Sequence, residues 1–213
     1  MKNPLSTFRN VPVSTQAVAS LYPDIRKPVD KVGRLASCGD LIMLKKGLYV
    51  VSPDVSGVEL SEELIANHLY TPSYVSMASA LRYYGLIPEA VYTMQSMTLN
   101  HAKKFDTPLG RFTYTHIGKA AYSIGLVPQT ANGVTFIMAS PEKALCDMIA
   151  NSQGVNLRYN TDARRYLEED IRMEMDDFMK MDVSIFKDYA KVGKKSTSIS
   201  TLIKLLENGR QNI

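Results

Sequence analysis

Apolar and polar positions alternate with two different periods along this chain, and the change of period marks out its elements. In the first fifty residues, Ser14 caps a short helix, TQAVASLY, which Tyr22-Pro23 ends. Asp24 caps a second predicted helix from Ile25 to Cys38, with Pro28 in its first turn and Gly39 as its stop. Pro28 disfavours the helical conformation at Lys27, so the start can shift a residue or two later. Two β-prone runs follow, LIML (41–44) and LYVV (48–51), joined by Lys45-Lys46-Gly47, a hairpin connection with glycine last. Two helices at a turn followed by a basic-tipped hairpin predict a winged helix-turn-helix over 1–52.

Beyond Pro53 the pattern changes. Ser61 opens SEELIANHL, with acids in its first turn, and ASALRYYG is stopped by Gly85 and followed by Pro88. Segments 91–99, 111–117, 122–128 and 133–138 are rich in Val, Ile, Thr, Tyr and Phe and bounded by Gly, Pro and Asn, the signature of strands. Ser140 caps SPEKALCDMIA, with Pro141 at the first helical position. From about 157 the chain reads as wholly helical, an acidic stretch (162–182) preceding a basic one (187–210). The expected fold class is α+β: the winged helix, a mixed α/β domain over 53–155 and a helical region over 156–213.

Charge sharpens this picture. Residues 1–52 hold eight Lys/Arg against three acids, a balance of +5, and the rest of the chain holds 17 bases against 18 acids. An excess confined to one quarter of the chain predicts a polyanion-binding module on a neutral body. Within helix 25–38, at about 100° per residue, Ile25, Val29, Val32 and Ala36 share one side and predict a buried stripe. Lys27, Lys31 and Arg34 cluster opposite, as a major-groove recognition helix requires. The candidate double-stranded DNA contacts are therefore Arg26, Lys27, Lys31, Arg34, Lys45 and Lys46. Of these, Arg34 or Lys31 suits a guanine edge, and Lys45 and Lys46 suit phosphates.

Other chemistries find no support. Cys38 and Cys146 are far apart, and His68, His101 and His116 share no register, so no metal site is expected. Neither Asp/Glu-x-Lys, a Gly-Ser turn with Asp-x-Asp, GxxxxGK nor GxSxG occurs, so no enzyme activity and no cofactor is expected. Glu142 and Asp147 point about 140° apart on a helix and make a poor acid/base pair; polar contacts to other elements suit them better. Tyrosines 70, 74, 83, 84, 92, 114 and 122 lie among strands and apolar helices, where packing accounts for them better than base stacking. No apolar run approaches a membrane span and MKNPLSTFRN lacks a signal peptide's apolar stretch, so a cytoplasmic location is expected.

Three stretches resemble the AbiEi family of antitoxins from type IV abortive-infection toxin–antitoxin systems. They are KVGRLASCGDLIMLKKGLYVV, SYVSMASALRYYGLIPEAVYTMQSMT, and GRFTYTHIG with MASPEKALCDMI, together spanning roughly 31–149. The resemblance implies a non-catalytic transcriptional repressor whose winged helix binds inverted repeats in its own promoter. It also implies a second half that counters a nucleotidyltransferase-like toxin without a stable complex. The alternative is an interaction protein whose α/β and helical parts act on a partner, with the winged helix reading no DNA sequence.

Overall fold

The computed structural model describes residues 3–211, with side chains to residue 209. After a 3-10 turn at Pro4–Phe8 come β1 (Val13–Ser14), α1 (Thr15–Ala19), α2 (Pro28–Ser37), β2 (Leu41–Lys45) and β3 (Leu48–Val51). These strands form a three-stranded antiparallel sheet in the order β1-β3-β2. The chain continues through α3 (Pro53–Ser56), α4 (Glu62–Leu69), β4 (Ser73–Val75), α5 (Met77–Tyr83), β5 (Thr93–Thr98), β6 (Lys103–Thr107) and β7 (Gly110–His116). Then follow α6 (Lys119–Tyr122), β8 (Leu126–Ala131), β9 (Val134–Ala139), α7 (Pro141–Asn151) and α8 (Asn160–Arg165). After a π-helical turn at Tyr166–Asp170, α9 (Met175–Met179), α10 (Val183–Val192) and α11 (Ser196–Gln211) complete the described chain.

The larger sheet is mixed, with six strands in the order β6-β7-β5-β4-β9-β8. The pairs β5/β7 and β4/β9 are parallel and the others antiparallel. The expected mixed α+β class holds. Its helices start where the sequence places their caps: Ser14, Ser61 and Ser140 each accept a hydrogen bond from the backbone N–H three residues on.

Two apolar cores result. The smaller gathers Leu5, Val13, Val18, Val32, Leu35, Leu41 and Val51. The larger fills the space between the six-stranded sheet and the helices packed on it, α4 and α5 among them, and includes Tyr74, Met97, Phe112, Phe136, Leu145, Phe186 and Leu202. The hairpin β2–β3 belongs to both, because Leu44 and Val50 point into the larger core while Leu41 and Val51 point into the smaller. The Asn10 side-chain amide also donates to the Glu59 carbonyl at 2.9 Å, tying the N-terminal segment to the stretch beyond Pro53.

Several elements differ from the expectation. Helix α2 begins at Pro28 rather than Ile25, because Lys27, restricted by the proline after it, takes a non-helical conformation (φ −131°, ψ 73°). The buried stripe is consequently Val32 and Leu35 with Ala36 beside them; Ile25 is 40% and Val29 59% exposed. The segment 122–128 is a helix end, a turn and only then a strand. Strands β1, β4 and β6 are additions. The chain after 157 is helical in separate pieces, broken between Asp170 and Met175, between Met179 and Val183 and between Val192 and Ser196.

Candidate nucleic-acid interface

Helix α2 is short and polarised. Pro28 occupies its first turn, where no intrahelical N–H is needed, and Asp30 in the first turn and Arg34 in the last complement the helix dipole. One side rests on the smaller core through Val32 and Leu35, which are 1% and 6% exposed. Lys27 and Arg34 are exposed on the other side, and Arg26 is exposed in the turn just before the helix. Lys31 is half-buried and lays its ammonium 5.7 Å from the centre of the Tyr22 ring, which steadies it on the same side.

The hairpin separates its two lysines. A two-residue turn, Lys46-Gly47, joins the strands after a bulge between Met43 and Lys45, and Gly47 takes φ +84°, where a side chain is strained. The Gly47 carbonyl accepts from the Thr15 N–H at 3.1 Å, pinning the hairpin tip to the start of α1. Lys46 stands exposed at that tip. Lys45 turns inward: its ammonium donates to the Leu69 carbonyl at 2.5 Å and lies 5.8 Å from the Phe105 ring centre. Burial, and then the nearby Lys103 charge, hold Lys45 below the usual lysine range. The structure thus gives Lys45 an internal partner and leaves Lys46 free to meet an external anion.

Ion pairs hold some of the cations elsewhere, while others among the described residues, Lys103, Lys104 and Lys119 included, form none. Arg111, Arg164, Arg172, Lys180, Lys187 and Lys191 each sit within 3.5 Å of a carboxylate oxygen. Among the described residues, Arg26, Lys27, Lys31, Arg34 and Lys46 form no ion pair within 4.0 Å. Five cations without ion-pair partners on adjoining small elements offer an anionic polymer sites that need no prior ion pair broken.

A second constellation, absent from the sequence-derived candidates except for Asp147, lies within the larger core. The side chains of Lys143 and Asp147 are both fully buried, one turn apart on α7, with the ammonium 3.1 Å from Oδ1. Oδ1 also accepts from the Tyr189 hydroxyl at 3.1 Å, and Oδ2 from Tyr74 at 2.9 Å and Ser76 at 2.8 Å. Lys143 donates further to the Ala121 carbonyl at 2.7 Å and faces the Tyr189 ring at 4.5 Å. Burial pushes the Asp147 carboxyl up and the Lys143 ammonium down, and the attraction between the two opposes both shifts. Four donors on one carboxylate, drawn from β4, the residue after it, α7 and α10, make this a tie between elements. Glu142 makes a separate one, accepting from the Asp182 N–H at 2.9 Å where α10 starts. The two carboxylates serve different elements, as their divergence on a helix predicts. The sequence signal for the tie is a lysine and an aspartate four apart inside an otherwise apolar helix.

The tyrosines divide by strand position. Tyr74 and Tyr114 are buried, Tyr114 donating to the Ala66 carbonyl at 2.7 Å, whereas Tyr92 is 90% exposed. Among the described residues, no group of three His, Cys, Asp or Glu side chains is placed to hold a metal ion, and no helix is long and apolar enough to cross a membrane. In comparison with known proteins, no family model matches the chain and no curated protein matches it.

Proposed function

We propose that this chain is a sequence-specific duplex-DNA-binding regulator, with α1 and α2 as a helix-turn-helix and the β2–β3 hairpin as its wing. The observation that carries the reading is the division of α2: one side buried through Val32 and Leu35, the other bearing Lys27, Lys31 and Arg34 with no ion pair among the described residues. A helix of this kind meets the geometric need of major-groove docking, in which base edges are read from one face while the other is held by the domain. Lys46 at the hairpin tip supplies a phosphate contact beside it, and Arg26 another at the helix start. The resemblance to AbiEi antitoxins narrows the role to repression of the chain's own promoter, with residues beyond Pro53 countering a nucleotidyltransferase-like toxin.

The test is competition binding. A labelled duplex carrying the sequence upstream of the chain's gene is titrated with protein and then challenged with scrambled duplex. The proposal expects the promoter to bind at least tenfold more tightly. It further expects Arg34→Ala to lose about 1–3 kcal/mol on the promoter and little on scrambled duplex, as for a lost base contact. Equal affinity for both duplexes overturns the reading; equal losses on both from Arg34→Ala make Arg34 a phosphate contact.

A further inference from the structure

Gly33 lies in the middle of α2, is exposed, and has nothing within 4 Å of where a Cβ would stand. Its φ is not in the left-handed region, and no packing inside the molecule requires its bareness. A glycine at an exposed helix interior lowers helix stability relative to alanine, so Gly33 carries a cost for which the isolated chain shows no return. One turn earlier on the same flank stands Val29, 59% exposed, an apolar side chain left out of both cores. Around the helix, Val29 and Gly33 lie to one side of Asp30, and Arg34, Lys27 and Lys31 to the other.

The three cations draw a polyanion to this helix, and the Asp30 carboxylate repels phosphate from its centre. Both effects turn the Val29–Gly33 flank toward base edges rather than toward the sugar-phosphate backbone. A bare Cα allows backbone and ligand to approach more closely than any side chain permits. An exposed branched aliphatic group has one good apolar counterpart in the major groove, the C5-methyl of thymine.

Resting on the duplex-binding function proposed above, we infer that the Val29–Gly33 flank of α2 is the close-contact surface for bases, with Gly33 admitting the base edge and Val29 reading a thymine methyl group. The preferred site therefore contains a thymine whose methyl group contributes to affinity. The basic side of the same helix supplies the attraction and the Arg34 contact, and this flank adds discrimination of its own.

Two measurements on the full chain test it. Gly33→Ala fits the open space and improves helix propensity, so it is expected to raise the melting midpoint by about 2–4 °C. The same variant is expected to bind the duplex from upstream of the chain's gene at least tenfold more weakly. Opposite signs on stability and binding are not produced by a glycine of merely structural origin. In the second measurement, each thymine of that duplex is replaced in turn by deoxyuridine. The parent protein is expected to lose about fourfold at one position, the worth of one buried methyl group, and Val29→Ala to lose nothing there. Promoter preference in the parent with unchanged binding by Gly33→Ala overturns the inference and leaves the duplex-binding reading standing. So does a deoxyuridine profile that Val29→Ala does not alter. A parent protein with no promoter preference overturns the duplex-binding reading first, and this inference with it.

Discussion

Replacing Asp147 with alanine removes one carboxylate and strands four donors. The Lys143 ammonium, fully buried, keeps the Ala121 carbonyl and the Tyr74 and Tyr189 rings but loses its counter-charge, and the hydroxyls of Tyr74, Ser76 and Tyr189 lose their acceptor. Breaking a buried ion pair from one side costs about 3–5 kcal/mol, because the remaining charge is left without compensation. Each hydroxyl left unsatisfied costs about 1–3 kcal/mol more, although the terms overlap because all share one site. A total loss of about 4 kcal/mol or more follows, well above the ~1 kcal/mol of a lost helix-cap contact. Urea denaturation followed by circular dichroism reads it directly. With a slope of about 2–3 kcal/mol/M, the midpoint should fall by about 1.5–2 M. Glu142→Ala, which gives up the charge-assisted bond from the Asp182 N–H, should fall by less, about 0.5–1 M. Adding Lys143→Met to Asp147→Ala should recover part of the loss, since it removes the stranded charge but leaves the three hydroxyls without their acceptor. An Asp147→Ala midpoint within 0.3 M of the parent, or a double variant weaker by the sum of both singles, refutes this account of the cluster.

Two further outcomes follow from side-chain placement. Lys46→Ala should flatten the log–log salt dependence of DNA binding by about one unit without moving the melting midpoint. Lys45→Ala should lower the midpoint instead, because it gives up the Leu69 carbonyl and the Phe105 ring. The reverse assignment in paired melts and salt titrations contradicts the directions seen for the two side chains. Partial desolvation holds the imidazole of His68, an exposed residue at the end of α4, below its ordinary value of about 6.5. The folded chain therefore binds fewer protons there than the unfolded one, and stability should fall as pH drops through about 6.5 toward the lowered value. His68→Gln should remove that part of the acid slope; denaturation midpoints between pH 7.5 and 5.5 that slope identically in both proteins contradict it.

Legibility of the sequence depended on how local each determinant is. The serine caps, the hairpin and most strands of the larger sheet follow from neighbouring residues, and they stand where the pattern places them to within a few positions. Strand β6 was hidden because Lys103, Lys104 and Asp106 break the apolar run, which is what an edge strand needs to discourage pairing with other chains. Helical periodicity put Ile25 and Val29 in a buried stripe, but proline restricts the residue before it, and the chain leaves the helical path at Lys27. The direction of Lys45 depends on Leu69, 24 residues on, and the role of Asp147 depends on Tyr74 and Tyr189, 73 and 42 residues away. Such pairings are set by the tertiary fold and carry no local mark. The basic side of α2 was legible because its spacing and its charge reside in one helix.

In the proposed function, the cations of α2 and the hairpin that lack ion pairs meet DNA phosphates and bases. The most direct measurement of this is the affinity of the full chain for its promoter duplex as salt is raised from 50 to 300 mM. If Arg26, Lys27, Lys31, Arg34 and Lys46 all displace counterions, the plot of log affinity against log salt should slope by about −4 to −5. Promoter duplex should remain ahead of scrambled duplex at every salt concentration. A slope near zero, or equal affinity for the two duplexes throughout, contradicts the account.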